Sequence, residues 1–218
     1  MAEPSSETIT QKPRIPMLKH APQTTEETRR SLKWRVVDIA VGAAVGVMSG
    51  VMFWVFDGMS YGLFPLLTLI LPGSAALLHA LFYFPATLGL LIVRKPSASA
   101  YVLLVASFVE VVLGTKYSVS LVVIALVQAL AAETVFALFR YRRWTLGVTL
   151  LAALAVGIVY NFYLLFFYYQ AFSFFSPRGL IGTACELLSA VVFAGFGSWV
   201  LYRALAKSGV LTRFASGR

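Results

Sequence analysis

The segment SFVEVVLG, Ser107 to Gly114, holds one carboxylate, Glu110, inside a long apolar run. The chain continues in the same way on both sides. From about residue 35 to 206, apolar stretches are separated only by short breaks. Of the 218 residues, 59% are hydrophobic and 12% charged, whereas soluble domains carry roughly 25% charged residues. A soluble helical domain needs polar faces alternating with apolar ones, and these segments lack them. The chain therefore reads as an all-α polytopic membrane protein. At a membrane helix centre an acidic group costs about 2.5–3.5 kcal/mol, so Glu110 asks for a compensating function.

Six spans are expected: Val36–Phe56, Gly73–Val93, Ser97–Leu113, Ser118–Phe139, Leu146–Tyr169 and Leu180–Leu205. At about 1.5 Å per residue, the first matches a hydrocarbon core of about 30 Å. Leu63–Leu71, ahead of Pro72, is too short to cross and reads as a re-entrant or capping segment in a long first loop. Residues 1–32 carry four prolines, several Ser/Thr and both charge signs. They read as a disordered cytoplasmic tail without the apolar core of a signal peptide. Residues 33–211 form the six-helix domain, and 212–218 a short C-terminal tail.

With six spans and the N-terminus inside, 16 of the 18 Lys/Arg fall on inner segments, leaving only Lys116 and Arg178 outside. The positive-inside rule expects this asymmetry and places both termini in the cytoplasm. Trp34, Trp54 and Trp144 lie near span ends, as interfacial anchors do. Topology accounts for the net charge of +9, so no nucleic-acid partner is implied. The lone Cys185 excludes a disulfide framework and a cysteine-based metal site.

This topology gives each polar group a depth. Asp57, His79, Glu110, Asn161 and Glu186 come from five spans yet share the outer half. Small residues accompany them at helical spacing: Gly182 with Glu186 and Ser189, Gly157 with Asn161 and Tyr168, Ser107 with Glu110. Intramembrane ionisable groups normally face an interior and mark functional sites. Glu110 and Glu186 thus read as walls of an outward pocket, with Gln128 closing its floor and Trp54, Tyr61, Tyr83, Tyr117 and Tyr168 as stacking partners. Structural readings stand beside these. Glu110 could sit at the interface, Glu186 could bond another helix, His79 could be a satisfied core histidine, and Asn161 could be helix glue. Asp38 and Glu133 fall near the inner ends and are expected to pair with basic residues, Glu133 with Arg140 in reach.

The chain has no phosphate-binding G-x-x-x-x-G-K-[ST] loop, no H-E-x-x-H and no G-x-S-x-G. No cofactor or metal is called for, and any energy source must be another protein. The first span offers a docking face in AVGAAVGVMSG, where Ala40 and Ala44, and Gly42 and Gly46, stand four apart as small-xxx-small pairs.

LLIVRKPSAS (90–99), SFVEVVLG (107–114), LVQALAAETVFALFRYRRW (126–144) and YRALAKSGVL (202–211) resemble YkoE-type proteins. These are substrate-binding S components of energy-coupling-factor (ECF) ABC importers, associated with thiamine and its hydroxymethylpyrimidine precursor. The resemblance runs from Trp34 to Leu211 and excludes the tail. It implies a six-helix S-component bundle with an outward ligand pocket in a prokaryotic cell membrane. It also implies a transmembrane coupling (T) subunit, which Ala40-x-x-x-Ala44 would contact, and cytoplasmic ATPases. The outer loops GMSYGLFPLLTLILPG and GTKYSVS depart from any family pattern, which leaves the ligand open. Two other classes stay in view: a membrane enzyme using Glu110 and Glu186 as acid and base, and a ligand-free channel or structural subunit.

Overall fold

The computed structural model describes residues 32–115, 120–170, 173–209 and 211. The N-terminal tail, Tyr117 and the last seven residues lie outside these. The described chain is helical, without a strand. Its helices are α1 (Val36–Ile70), α2 (Phe84–Val93), α3 (Ala98–Val112), α4 (Ser120–Leu138), α5 (Leu146–Phe167), α6 (Pro177–Ser189) and α7 (Ser198–Lys207). A 3₁₀ segment, Ser74–Phe82, leads into α2, and a π-helical segment, Ala190–Gly197, joins α6 to α7. Five helical runs are long and apolar enough to cross a membrane, and α3 is a shorter sixth. This matches the six spans read from the sequence.

Two boundaries differ. α1 does not stop at Phe56 but runs 35 residues to Ile70, about 52 Å at 1.5 Å per residue. The segment read as re-entrant is therefore the end of α1. Pro65 lies inside the helix, a position that membrane helices tolerate when neighbouring groups satisfy the freed carbonyl. The helix ends only at Leu71, whose backbone is extended, and Gly73 (φ 96°) then reverses the chain. The second difference is local: the first half of the second span is wound as a 3₁₀ helix with about three residues per turn.

Packing follows the small residues. α2 is buried from Pro85 to Val93 and forms the centre of the bundle. Ala125, Ala129 and Ala132 of α4, Ala152 and Ala153 of α5, and Ala190 and Ala194 of the π segment are also buried. Close backbone approach is what such residues permit between membrane helices. The glycine stripe of α1 does the same against α3. A Cβ at Gly50 would stand 2.5 Å from the Ala106 carbonyl oxygen, and one at Gly46 2.9 Å from that of Val102. Gly42 and Gly46 are thus used inside the chain, which corrects their reading as partner-docking residues. Ala40 and Ala44 lie on the exposed side of α1.

Polar clamps close the end of the bundle near the α1 N-terminus. Asp38 pairs with Arg35 at 3.0 Å and approaches Lys95 at 3.9 Å, as expected. Burial holds the Lys95 ammonium below its usual range, and nearby Asp38 opposes that shift. The Arg94 guanidinium lies 5.7 Å from the Trp144 ring and 5.6 Å from that of Tyr202, and donates to the Tyr202 hydroxyl. Glu133 does not pair with Arg140. Its carboxylate accepts from the Ser99 backbone N–H (2.9 Å) and the Tyr141 hydroxyl (2.6 Å). The α3 N-terminus has unpaired N–H groups to offer a carboxylate, while the exposed Arg140 can be solvated instead.

Candidate functional site

The α1 extension, the 3₁₀ segment and α3, α4 and α5 surround a cavity of about 230 Å³. α3 contributes Leu103, Ser107 and Glu110, which share one helical face because they are spaced four and three residues apart. α1 contributes Phe53, Asp57, Ser60 and Phe64; α4 contributes Ile124 and Gln128. His79 and Phe82 come from the 3₁₀ segment, and Tyr160, Leu164, Tyr168 and Tyr169 from α5 and the residues after it. Among the described residues the lining carries two carboxylates, Asp57 and Glu110, and no Lys or Arg.

Glu110 and Gln128 are each 2% exposed. Among the described residues, neither side chain makes a hydrogen bond, and both face the cavity. Burying such groups without partners costs roughly 1–3 kcal/mol each, and more when charged. Asp57 is placed differently: the Thr115 hydroxyl lies 3.4 Å from its Oδ2. Three Phe and three Tyr rings also line the cavity, among aliphatic and serine side chains, and offer π faces on which a flat ring can stack.

Glu186 stands behind this wall. It is 0% exposed, does not line the cavity, and has both oxygens engaged. His79 Nδ1 lies 2.5 Å from Oε2, and the Tyr83 hydroxyl donates to Oε1 at 2.8 Å. One turn further along, the Ser189 hydroxyl donates to the Leu77 carbonyl and accepts from the Ala80 N–H. These contacts pin the 3₁₀ segment to α6. They leave His79 with its other ring nitrogen, Nε2, as the available polar atom. Tyr160 packs edge-on against both His79 and Tyr83, at 5.6 and 5.5 Å between ring centres.

Of the residues singled out in the sequence, Asp57, His79, Glu110, Gln128 and Tyr168 meet at one cavity. Asn161 lines an adjoining one and donates to the Thr183 hydroxyl. Glu186 and Tyr83 position the wall instead of lining it. Trp54 is 44% exposed and lines neither cavity. The Glu110–Glu186 pair needed for the acid–base reading is not assembled, because Glu186 is enclosed by His79 and Tyr83. Sequence reading missed Ser60 and Phe64, since it ended the first span before them. Their spacing of three and seven from Asp57 is the helical register that would have found them.

Comparison with known proteins agrees with this architecture. Residues 37–159 match the family model described as the permease component of ABC-type cobalt transport systems. The chain is 26% identical over 189 residues to the "Putative HMP/thiamine permease protein YkoE" of Bacillus subtilis (strain 168), covering 85% of this chain and 91% of that protein. It is similar in fold to a crystal structure of an S-component of an ECF transporter, with a TM-score of 0.77 and 26% identity over 85% of this chain and 92% of the other. A bundle of this fold, with a polar cavity among its helices, belongs to the permease-component family of ABC-type cobalt transport systems and is the substrate-binding component of an ECF importer.

Proposed function

We propose that this chain captures thiamine or its hydroxymethylpyrimidine precursor in the cavity walled by Glu110 and hands it to a coupling subunit driven by partner ATPases. The observation that carries this reading is Glu110 itself, buried at the cavity and without a hydrogen bond from the described protein. An aminopyrimidine offers it an exocyclic N–H donor, and the Gln128 carboxamide can both give and accept at the same ring edge. The thiazolium charge of thiamine would be offset by Asp57 and Glu110, with Phe and Tyr faces beside it. Among the described residues, no three of His, Cys, Asp and Glu form a group fit to hold a metal ion. That donor set favours an organic cation over a bare metal as cargo. The name of the Bacillus relative points the same way.

The docking and topology readings complete the proposal. Ala40 and Ala44 sit on an exposed face of α1 with Val36, Val47, Met48 and Val51, a smooth surface that a helix of the coupling subunit can approach closely. Both termini lie on the cytoplasmic side of the cell membrane, where the ATPases act. Isothermal titration calorimetry of the full chain in detergent, with thiamine and separately with hydroxymethylpyrimidine, tests the ligand. Saturable heat from either compound is expected. Silence from both, on protein shown to be folded, refutes the vitamin assignment.

A further inference from the structure

His79 lines both the first cavity and an adjoining one of about 300 Å³. Its ring is held on three sides. Phe64 of α1 and Tyr160 of α5 stand 5.7 and 5.6 Å away between ring centres, and Nδ1 is bonded to Glu186 Oε2 of α6. Among the described residues Glu186 is its sole hydrogen-bond partner, so Nε2 is left for whatever enters. Asp57 and Glu110 share the first lining with it, and Arg178, which has interactions of its own, shares the second.

The role of Nε2 is decided at the other ring nitrogen. A neutral imidazole carries one proton, and the bond made by one nitrogen fixes whether the other donates or accepts. The Tyr83 hydroxyl has no acceptor among the described residues other than Glu186 Oε1, so its proton points there. An ionised carboxylate only accepts, and at Oε2 it draws the imidazole proton to Nδ1. Nε2 is then a bare acceptor. The same polarity recurs in the second cavity, which Asn161 lines. The Thr183 hydroxyl donates to the Gly179 carbonyl and receives the Asn161 Nδ2–H. This fixes the Asn161 amide and leaves its acceptor, Oδ1, without a partner among the described residues.

We propose that Glu186 is a positioning residue that holds His79 as the Nδ1-protonated tautomer, so that Nε2 accepts a hydrogen bond from a ligand hydroxyl and selects alcohols over their ethers. This rests on the reading of the first cavity as the vitamin site, and it names the hydroxymethyl arm of the pyrimidine as the group read at Nε2. An ether of that arm keeps the oxygen but has no proton to give, so two acceptors would face each other. A site built to hydrogen-bond a hydroxyl rejects such an analogue because its own polar group stays unpaired. Glu186→Gln reverses the arrangement with hardly a change in size. Its amide oxygen accepts from Tyr83, its NH₂ then faces Nδ1, and the imidazole proton moves to Nε2, which becomes a donor. In serine proteases the same carboxylate-to-amide change beside a histidine keeps the geometry and installs the wrong tautomer.

The test is calorimetric titration of the full chain in detergent with hydroxymethylpyrimidine and with its O-methyl ether, on the unmodified protein and on Glu186→Gln. The unmodified chain is expected to prefer the alcohol about tenfold or more, the scale of one buried acceptor left unpaired. In Glu186→Gln that ratio is expected to fall about tenfold, because a donor at Nε2 serves the ether oxygen as well. The added methyl group is common to both chains, so the change in ratio reports the tautomer and not bulk. Nitrogen-15 NMR of the unliganded chain, labelled at histidine and carrying His20→Gln so that only His79 remains, reads the tautomer without relying on the Glu186 variant. Nδ1 protonated and Nε2 bare is the expected result at neutral pH. A protonated Nε2 in that chain overturns the inference. So does an alcohol-to-ether ratio that is the same with Glu186 and with glutamine, which is what a purely structural Glu186 gives; the vitamin reading then stands on the binding of the alcohol. Binding of neither compound to the unmodified chain refutes the vitamin reading and this inference with it.

Discussion

Replacing Glu110 with glutamine separates the cost of the empty cavity from the gain of binding. The two side chains are nearly the same size, so the shape of the cavity that Leu103 and Ile124 also line is kept. In the unliganded protein the substitution removes a charge from a site that is 2% exposed and has no hydrogen-bond partner among the described residues. It also removes repulsion from Asp57, which shares the cavity. The unpartnered amide still carries the roughly 1–3 kcal/mol cost of a buried polar group, so the gain is the excess that the charge adds to it, on the order of 1 kcal/mol or more. For a domain of this size, each kcal/mol moves the melting temperature by about 2–4 °C. Glu110→Gln should therefore melt higher than the unmodified chain, by thermal unfolding followed with tryptophan fluorescence in detergent. Binding should move the other way. A hydrogen bond to a charged group contributes about 1.5–3 kcal/mol, so thiamine affinity should fall about 10- to 150-fold. The neutral hydroxymethylpyrimidine should lose less, because only thiamine carries a fixed positive charge. An unchanged melting temperature together with unchanged affinity would refute the reasoning. A lower melting temperature with intact affinity would show that Glu110 serves an internal partner instead of a ligand.

Glu186→Ala should destabilise the unliganded chain by about 3–5 kcal/mol, since it leaves His79 and Tyr83 enclosed without their acceptor; Glu186→Gln, which keeps an acceptor oxygen, should cost less in the same melting assay. Gly50→Ala should destabilise by about 1–3 kcal/mol, because its Cβ meets the Ala106 backbone oxygen. Gly58→Ala, in the same helix with nothing within 4 Å, should instead stabilise by about 0.5–1 kcal/mol through helix propensity. Topology is open to labelling: in a Cys185→Ser background, an impermeant maleimide applied to intact cells should modify Phe175→Cys and should reach Lys33→Cys only after permeabilisation.

Composition and the lengths of the apolar runs were enough to establish a six-span helical membrane protein, because a bilayer demands about 20 apolar residues per crossing and closes every backbone hydrogen bond within the helix. The polar residues worth attention were equally visible, since each stands out in an apolar run; Asp57, His79, Glu110 and Gln128 do share a cavity. Which face each helix turns inward was not visible. Lipid is as apolar as the protein core, so a membrane helix carries little of the polar–apolar periodicity that orients a soluble one. Only tertiary packing decided that Gly42, Gly46 and Gly50 serve α3, leaving Ala40 and Ala44 outside. Only tertiary packing placed Glu186 behind His79 and Glu110 in front of it, although both are single carboxylates in apolar helices. And α1 outruns the bilayer because the chain reversal comes after Leu71, where Pro72 and Gly73 turn it, and not at Asp57, where charge alone suggested an end.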